Sequence, residues 1–181
     1  LEIKINNDIF KRHFLKTVGV SNEPSAIQNS VVAAFQRNCI YQGNPSSDDR
    51  EGLRCALRTE IRNIALNYST CVTERKHCEN IQNIANNLTN RFSGILNGGR
   101  FKIGTAQKVL NLYLKFLWCL GIYQVAPPHC PLDGNILKKV NIYKAWTKLD
   151  CIETYKDWIG RIRAKAKPKS IPGWELEKWK K

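Results

Sequence analysis

The sequence has no apolar run approaching the ~18 residues that a membrane-spanning helix needs, so an integral membrane helix is excluded. It shows no charged-then-apolar leader ending in a small-residue cleavage site, and the expectation is a soluble, non-secreted protein. No CxxC pair occurs among the seven cysteines (Cys39, Cys55, Cys71, Cys78, Cys119, Cys130, Cys151). The one close pair, Cys71 and Cys78 with His77 between, has neither tetrahedral zinc spacing nor a second half-site. Neither a metal nor any other cofactor is expected, and the cysteines read as reduced core thiols of a cytosolic protein. Sustained period-two alternation, internal repeats and long low-complexity segments are also missing, which excludes sheet and solenoid architectures. Acidic residues are scarce: 15 Asp and Glu stand against 29 Lys and Arg, a net charge of +14.

That charge excess attracts polyanions. No basic amphipathic helix with an exposed apolar face stands out, so nucleic acid is favoured over a membrane surface. At 181 residues the chain suits one compact domain with a sizeable core. Apolar spacing predicts a first helix through Ile9, Phe10, Phe14, Leu15 and Val18, ended by Gly19. A second runs from Ile27 to Tyr41, followed by the loop "QGNPSSDDREG". Leu53–Tyr68 is an amphipathic helix with Arg54, Arg58 and Arg62 along its outer face, and Thr70 or Thr73 opens the next, broken at Gly94–Gly99. Three more are expected: Thr105–Leu120, Ile136–Leu149 and roughly Ile152–Ala166. The fold class is all-α, a single multi-helix domain over 1–167 with a weakly ordered basic tail over 168–181.

The segment "GTAQKVLNLYLKFLWCLG" is apolar around most of its circumference, as a central helix is. Only Lys108, Asn111 and Lys115 share a narrow polar stripe. Upstream lies a glycine-containing hairpin, "FSGILNGGRFKIG", whose backbone N–H groups and following helix N-terminus suit a phosphate; Arg91, Arg100 and Lys102 surround it. Downstream, "PPHCPLDGNIL" places Asp133 after a proline-rich turn, as an N-cap for the next helix. Lys108 and Asp133 are 25 positions apart. A helix over Thr105–Leu120 is about 24 Å long, and the loop "GIYQVAPPHCPL", if extended, just covers the return.

These motifs resemble the helix-hairpin-helix superfamily of DNA glycosylases. Within it, "AQKVLNLYLKFLWCLG…PPHCPLD" is most similar to the divergent archaeal branch that excises 8-oxoguanine. The likeness covers about a quarter of the chain, 94–140, and "IGTAQK" stands where the family's G-x-G triplet precedes its lysine. It implies a helix-hairpin-helix element and base excision with lyase activity on duplex DNA carrying a damaged base. Lys108 is implied as the Schiff-base nucleophile and Asp133 as the catalytic carboxylate. DNA contacts are implied at Arg91, Gly98, Gly99, Arg100, Lys102, Gly104 and Lys115, and a pocket for the flipped base at Phe101, Gln107, Tyr113, Trp118, His129 and Trp146. A cytoplasmic, metal-free monomer follows, nucleoid-associated in a prokaryote.

Each feature has a plainer reading. A lysine early in a central helix snorkels to solvent, an Asp before a helix is a cap, and a loop histidine makes ordinary hydrogen bonds. The competing function is a non-catalytic all-α protein that holds DNA with the same hairpin and basic surface. A scaffold or toxin–antitoxin partner would need only the helices.

Overall fold

The computed structural model describes residues 2–36 and 38–179, with side chains from Asp8 onward. Among these the chain is all-α, with a lone bridge between Tyr41 and Leu96 its only strand-like pairing. The order is α1 (Glu2–Val18), α2 (Glu23–Phe35), α3 (Ser47–Ala65), α4 (Glu74–Phe92), α5 (Ile103–Cys119), α6 (Gly134–Lys139), α7 (Ile152–Ala166) and α8 (Ile171–Lys178). Three single 3-10 turns lie at Leu66–Ser69, Asn97–Gly99 and Trp146–Lys148. The second of these sits in the connection that turns the chain from α4 into α5.

Caps and breakers explain most boundaries. Asn22 and Ser25 form a reciprocal capping box that starts α2 four residues before the first apolar position, Ile27. Ser46 caps α3, which therefore begins inside the stretch expected as a loop, with Asp48 and Asp49 at its positive end. The expected helix over Ile27–Tyr41 stops at Phe35. Its last apolar residues, Ile40 and Tyr41, are held by pairing instead: Asn97 N–H donates to the Ile40 carbonyl at 2.8 Å and Gln42 N–H to the Ile95 carbonyl at 3.0 Å. The expected helix over Ile136–Leu149 is only α6. Asn141 adopts the left-handed conformation (φ 59°) and Ile142 N–H closes back onto the Leu137 carbonyl, a C-terminal stop of the kind usually made by glycine.

Every residue of α5, from Ile103 to Cys119, is buried, and α1, α2, α3, α4 and α7 pack around it. Large apolar side chains such as Leu110, Leu114 and Phe116 each contribute about 1.5–3 kcal/mol by that burial. The polar stripe is buried with them. Lys115, expected at a DNA surface, is 1% exposed and pairs with Glu175 of α8 at 2.6 Å, its Nζ lying 3.8 Å from the centre of the Phe14 ring on α1. One buried charge pair thus ties α1, α5 and α8 together.

The tail corrects an expectation. Residues 171–176 are all buried, Ser170 caps α8, and Trp174 and Leu176 belong to the core. The period was hidden because α8 is short and is held by one buried glutamate as well as by apolar residues. Lys180 and Lys181 lie outside the described residues. The cysteines correct another: all seven are free thiols, but only Cys78, Cys119 and Cys130 are buried, while Cys39, Cys55, Cys71 and Cys151 are exposed. No described helix is long and apolar enough to cross a membrane.

Breaking the Lys115–Glu175 pair from one side strands a charge in the core. Glu175→Gln or Lys115→Met alone is expected to cost about 3–5 kcal/mol in urea unfolding, and Lys115→Met with Glu175→Leu to recover most of it. Equal losses in the single and double variants would show that the pair itself contributes the stability and that no stranded charge adds to the cost.

Candidate active site at the Lys108–Asp133 pair

The α5 helix begins at Ile103, so Lys108 stands in its second turn rather than its first. Its side chain does not reach open solvent. The residue is 7% exposed, and its Nζ donates to Asp133 Oδ2 at 3.1 Å with the Trp146 ring centre 5.9 Å away.

The return loop is drawn onto α5 by two amide side chains one turn apart. Gln107 grips Leu132 from both sides: Leu132 N–H donates to Gln107 Oε1 (3.1 Å), and Gln107 Nε2 donates to the Leu132 carbonyl (3.2 Å). Asn111 Nδ2 donates to the Cys130 carbonyl (3.2 Å). The loop therefore runs back along the helix, and the next residue, Asp133, arrives beside Lys108. Gln107, expected at a base pocket, positions the loop.

Asp133 uses both oxygens. Oδ1 accepts the N–H groups of Asn135 and Ile136, each at 3.0 Å, capping α6, while Oδ2 takes Lys108. Burial pushes its pKa up, but the Lys108 ammonium and the two cap N–H groups outweigh that and hold it below the usual carboxylate range. The site is a carboxylate kept ionised and oriented, with a lysine held against it.

On the Asp133 side of the pair opens a cleft of about 430 Å³ lined by Asp133, Asn135, Ile136, Lys138, Lys139, Lys178 and Trp179. Lys138 and Lys139 have no acidic partner within 4 Å among the described residues; Lys178 lies 3.9 Å from Glu177. These three lysines and Trp179 escaped the sequence reading. The adjacent lysines in "GNILKK" were a local signal, but only folding brings α8 to them.

The hairpin residues are placed differently from expectation. Ile103 N–H donates to Asp150 Oδ1 and Gly104 N–H to the Leu149 carbonyl at 2.7 Å, so protein groups already occupy the first N–H groups of α5. Arg100 pairs with the same Asp150 through Nε (3.2 Å) and Nη2 (3.3 Å). Gly104 is a packing glycine: a Cβ there would lie 1.9 Å from the Trp146 carbonyl oxygen. Gly98 and Gly99 make the left-handed turn (φ 66° and 67°) of the connection. Arg91 is exposed beside Phe92, and Lys102 is half-buried at the N-cap of α5.

Of the expected base-pocket residues, only Trp146 lies near Lys108 and partly open. Phe101 is buried near Phe35. Tyr113 donates to Glu23 Oε1 (2.6 Å), and Trp118 is buried under Lys11, 4.2 Å from its ring centre. Tyr113 and Trp118 are core positions because α5 has no solvent face. His129 belongs to a buried chain of hydrogen bonds. Asn80 donates to Tyr68 (3.0 Å), Tyr68 meets His77 Nδ1 (2.7 Å), and His77 Nε2 meets Asn111 Oδ1 (2.8 Å). Asn111 Nδ2 donates to Tyr155 Oη (3.0 Å), which meets His129 Nδ1 at 2.8 Å. Burial pushes the His77 pKa down to about 4, against a smaller upward pull from Asn111, and burial with the nearby His77 and Arg163 pushes His129 well below its ordinary value. Among the described residues no three His, Cys, Asp or Glu side chains are placed to hold a metal ion.

Compared with protein-family models, curated proteins and solved structures, the chain matches none.

The histidine chain makes stability depend on pH. Both imidazoles are neutral when folded and titrate near 6.5 when unfolded. Their contribution is complete above pH 6.5 and is lost as pH falls, because only the unfolded chain takes up protons. His77 alone is expected to remove about 3 kcal/mol between pH 6.5 and 4. Urea unfolding across that range should show a slope that flattens in His77→Gln; an unchanged slope would assign the loss to other groups.

Proposed function

We propose that this protein is a base-excision DNA glycosylase with lyase activity, acting on duplex DNA that carries a damaged base. The observation that carries the reading is the meeting of Lys108 and Asp133, 25 residues apart in sequence, at 3.1 Å beside a cleft with three lysines. A primary amine next to an oriented carboxylate has the parts for Schiff-base chemistry at a sugar C1′. The helix, connection, helix order of α4 and α5 agrees with the resemblance to helix-hairpin-helix glycosylases.

In the proposed reaction the target nucleotide leaves the stack and enters the cleft beside Asp133. Positive charge grows on the sugar as the C1′–N bond breaks and its electron pair leaves with the base. The ionised Asp133 stabilises that charge. Lys108 gives up a proton, its nitrogen bonds to C1′, and the departing base takes a proton. Opening of the sugar then yields the imine. Loss of a C2′ proton drives elimination of the 3′ phosphate, and water releases the lysine. Asp133 also lies within reach to relay the amine proton.

The DNA strand is assigned to the α6–α8 cleft rather than to the hairpin, since Lys138 and Lys139 are uncommitted and the N–H groups starting α5 are not. Trp179 offers a ring for stacking in that cleft. The occupied N–H groups of α5 also favour a second reading, a non-catalytic DNA-binding protein in which the Lys108–Asp133 pair only fastens the loop.

Borohydride trapping separates the two. The wild-type protein is expected to form a covalent adduct with an 8-oxoguanine or abasic duplex, and Lys108→Gln to form none while still unfolding cooperatively. No adduct from the wild-type protein on either duplex supports the binder, and an adduct that persists in Lys108→Gln removes Lys108 as the nucleophile.

Salt dependence tests the strand assignment. Lys138→Ala with Lys139→Ala is expected to flatten the slope of log Kd against log salt by about one to two phosphate contacts, and Arg100→Ala with Lys102→Ala by less. The opposite ranking would return the contact to the hairpin.

A further inference from the structure

The stretch from α6 to α7 carries charge of one sign. Between Gly134 and Leu149 stand Lys138, Lys139, Lys144 and Lys148, with no Asp or Glu among them. In the same stretch Tyr143 is 79% exposed, whereas the other five tyrosines are buried or half-buried. Its backbone is pinned. Asn141 N–H donates to the Lys138 carbonyl (3.1 Å), Ile142 N–H donates to the Leu137 carbonyl (2.9 Å), and the Ile142 side chain is buried. The chain turns at Asn141 (φ 59°), and the residue after the anchored Ile142 is left outside. A ring held out on a fixed backbone loses little freedom when something is laid against it.

Tyr143 lines a cavity of about 480 Å³ and Lys148 one of about 630 Å³; Lys144, Thr154 and Trp158 line both, so the two form one continuous surface. It shares no lining residue with the Lys108–Asp133 cleft. The carboxylates on it are already met: Glu153 by Lys156 (2.8 Å), Asp157 by Arg161 (3.2 Å) and Asp150 by Arg100 (3.2 Å). Lys144 and Lys148 are exposed and have no acidic partner within 4 Å among the described residues. Two uncommitted cations therefore flank an exposed aromatic ring.

That combination selects a partner. Lysines alone suit any polyanion. The ring adds a contact for flat apolar faces, which a duplex hides by pairing and stacking and a single strand leaves open. A membrane surface needs a cluster of apolar side chains, and the other large exposed ones (Ile9, Val32, Leu66, Ile122, Val125) belong to other segments. We propose that the α6–α7 connection binds single-stranded nucleic acid, Tyr143 stacking on an unpaired base while Lys144 and Lys148 hold the neighbouring phosphates. This rests on nucleic acid being the partner, as in the function proposed above, but not on the reaction at Lys108.

Fluorescence anisotropy with a labelled thymidine 12-mer tests it, set against a propanediol-phosphate 12-mer that has the same charge and no bases. The thymidine strand is expected to bind the wild-type protein about tenfold more tightly than the base-free one. Tyr143→Ala is expected to remove that advantage and Tyr143→Phe to keep it, with thermal unfolding at the wild-type temperature in both. Lys144→Ala with Lys148→Ala should weaken both strands and flatten the slope of log Kd against log salt by about 0.7 per phosphate contact, roughly 1.4 in all. Equal affinity for the two strands overturns the ligand class and leaves a surface for polyanions in general. An advantage that survives in Tyr143→Ala overturns the location, and one lost in Tyr143→Phe assigns the contact to the hydroxyl and overturns stacking. Sedimentation with phosphatidylserine vesicles that depends on Tyr143 overturns the proposal in favour of a membrane. A protein that binds duplex without any base-dependent hold on the 12-mer loses this proposal alone; one that holds the 12-mer through Tyr143 yet gives no borohydride adduct loses the reaction alone.

Discussion

A helix buried along its whole length must find an internal partner for each polar side chain it carries, and α5 carries six. Water is not available to them, and an unmade bond there costs about 1–3 kcal/mol, more for a charge. The rest of the molecule is arranged around meeting those demands. Thr105 accepts from Asn38, which follows α2, and Tyr113 donates to Glu23 at the start of α2. Gln107 and Asn111 take the backbone of the return loop, Lys108 takes Asp133 and Lys115 takes Glu175. Apolar packing supplies most of the stabilisation, but these bonds choose which segment lies where along the helix.

The two lysines of that stripe show how one device serves different ends. Lys115 and its glutamate are closed off under Phe14, and a charge pair so enclosed contributes register more than net stability. Lys108 sits seven residues nearer the start of α5, where the α6 cap meets it and a cleft opens alongside. Its partner remains partly exposed, with a side chain 29% accessible. The Lys108–Asp133 pair is thus open on its carboxylate side, whereas the Lys115–Glu175 pair is enclosed on both. The difference lies in what covers each end of the helix.

Legibility in the sequence followed the range of the interaction. The α7 helix over Ile152–Ala166 was readable because its apolar period is long and clean, and α4 because Thr73 caps it. Lys108 and Asp133 were readable as candidates because each sits in a local motif, and the return loop was long enough to join them. Tyr113 and Trp118, assigned to a base pocket, were misplaced for a physical reason. Composition shows that α5 is apolar all round, yet a pocket wall and a core position present the same residue type. Similarly, the glycines of the connection look alike in sequence, but Gly104 is set apart by the Trp146 carbonyl pressed against it.

What the sequence determined by itself is the all-α class, the central place of α5 and the excess of positive charge, since periodicity and composition act through nearest neighbours along the chain. Only the tertiary structure decided which charges remain uncommitted. Arg100 and the N–H groups starting α5 look free in the sequence and are taken by Asp150 and Leu149. Lys138 and Lys139 look ordinary and end up beside Asp133, facing across the cleft α8, a segment expected to be a tail. Asp150, Leu149, Lys178 and Trp179 each lie 39 or more positions from the residues they meet there, and the helical period carries no information about contacts at that separation.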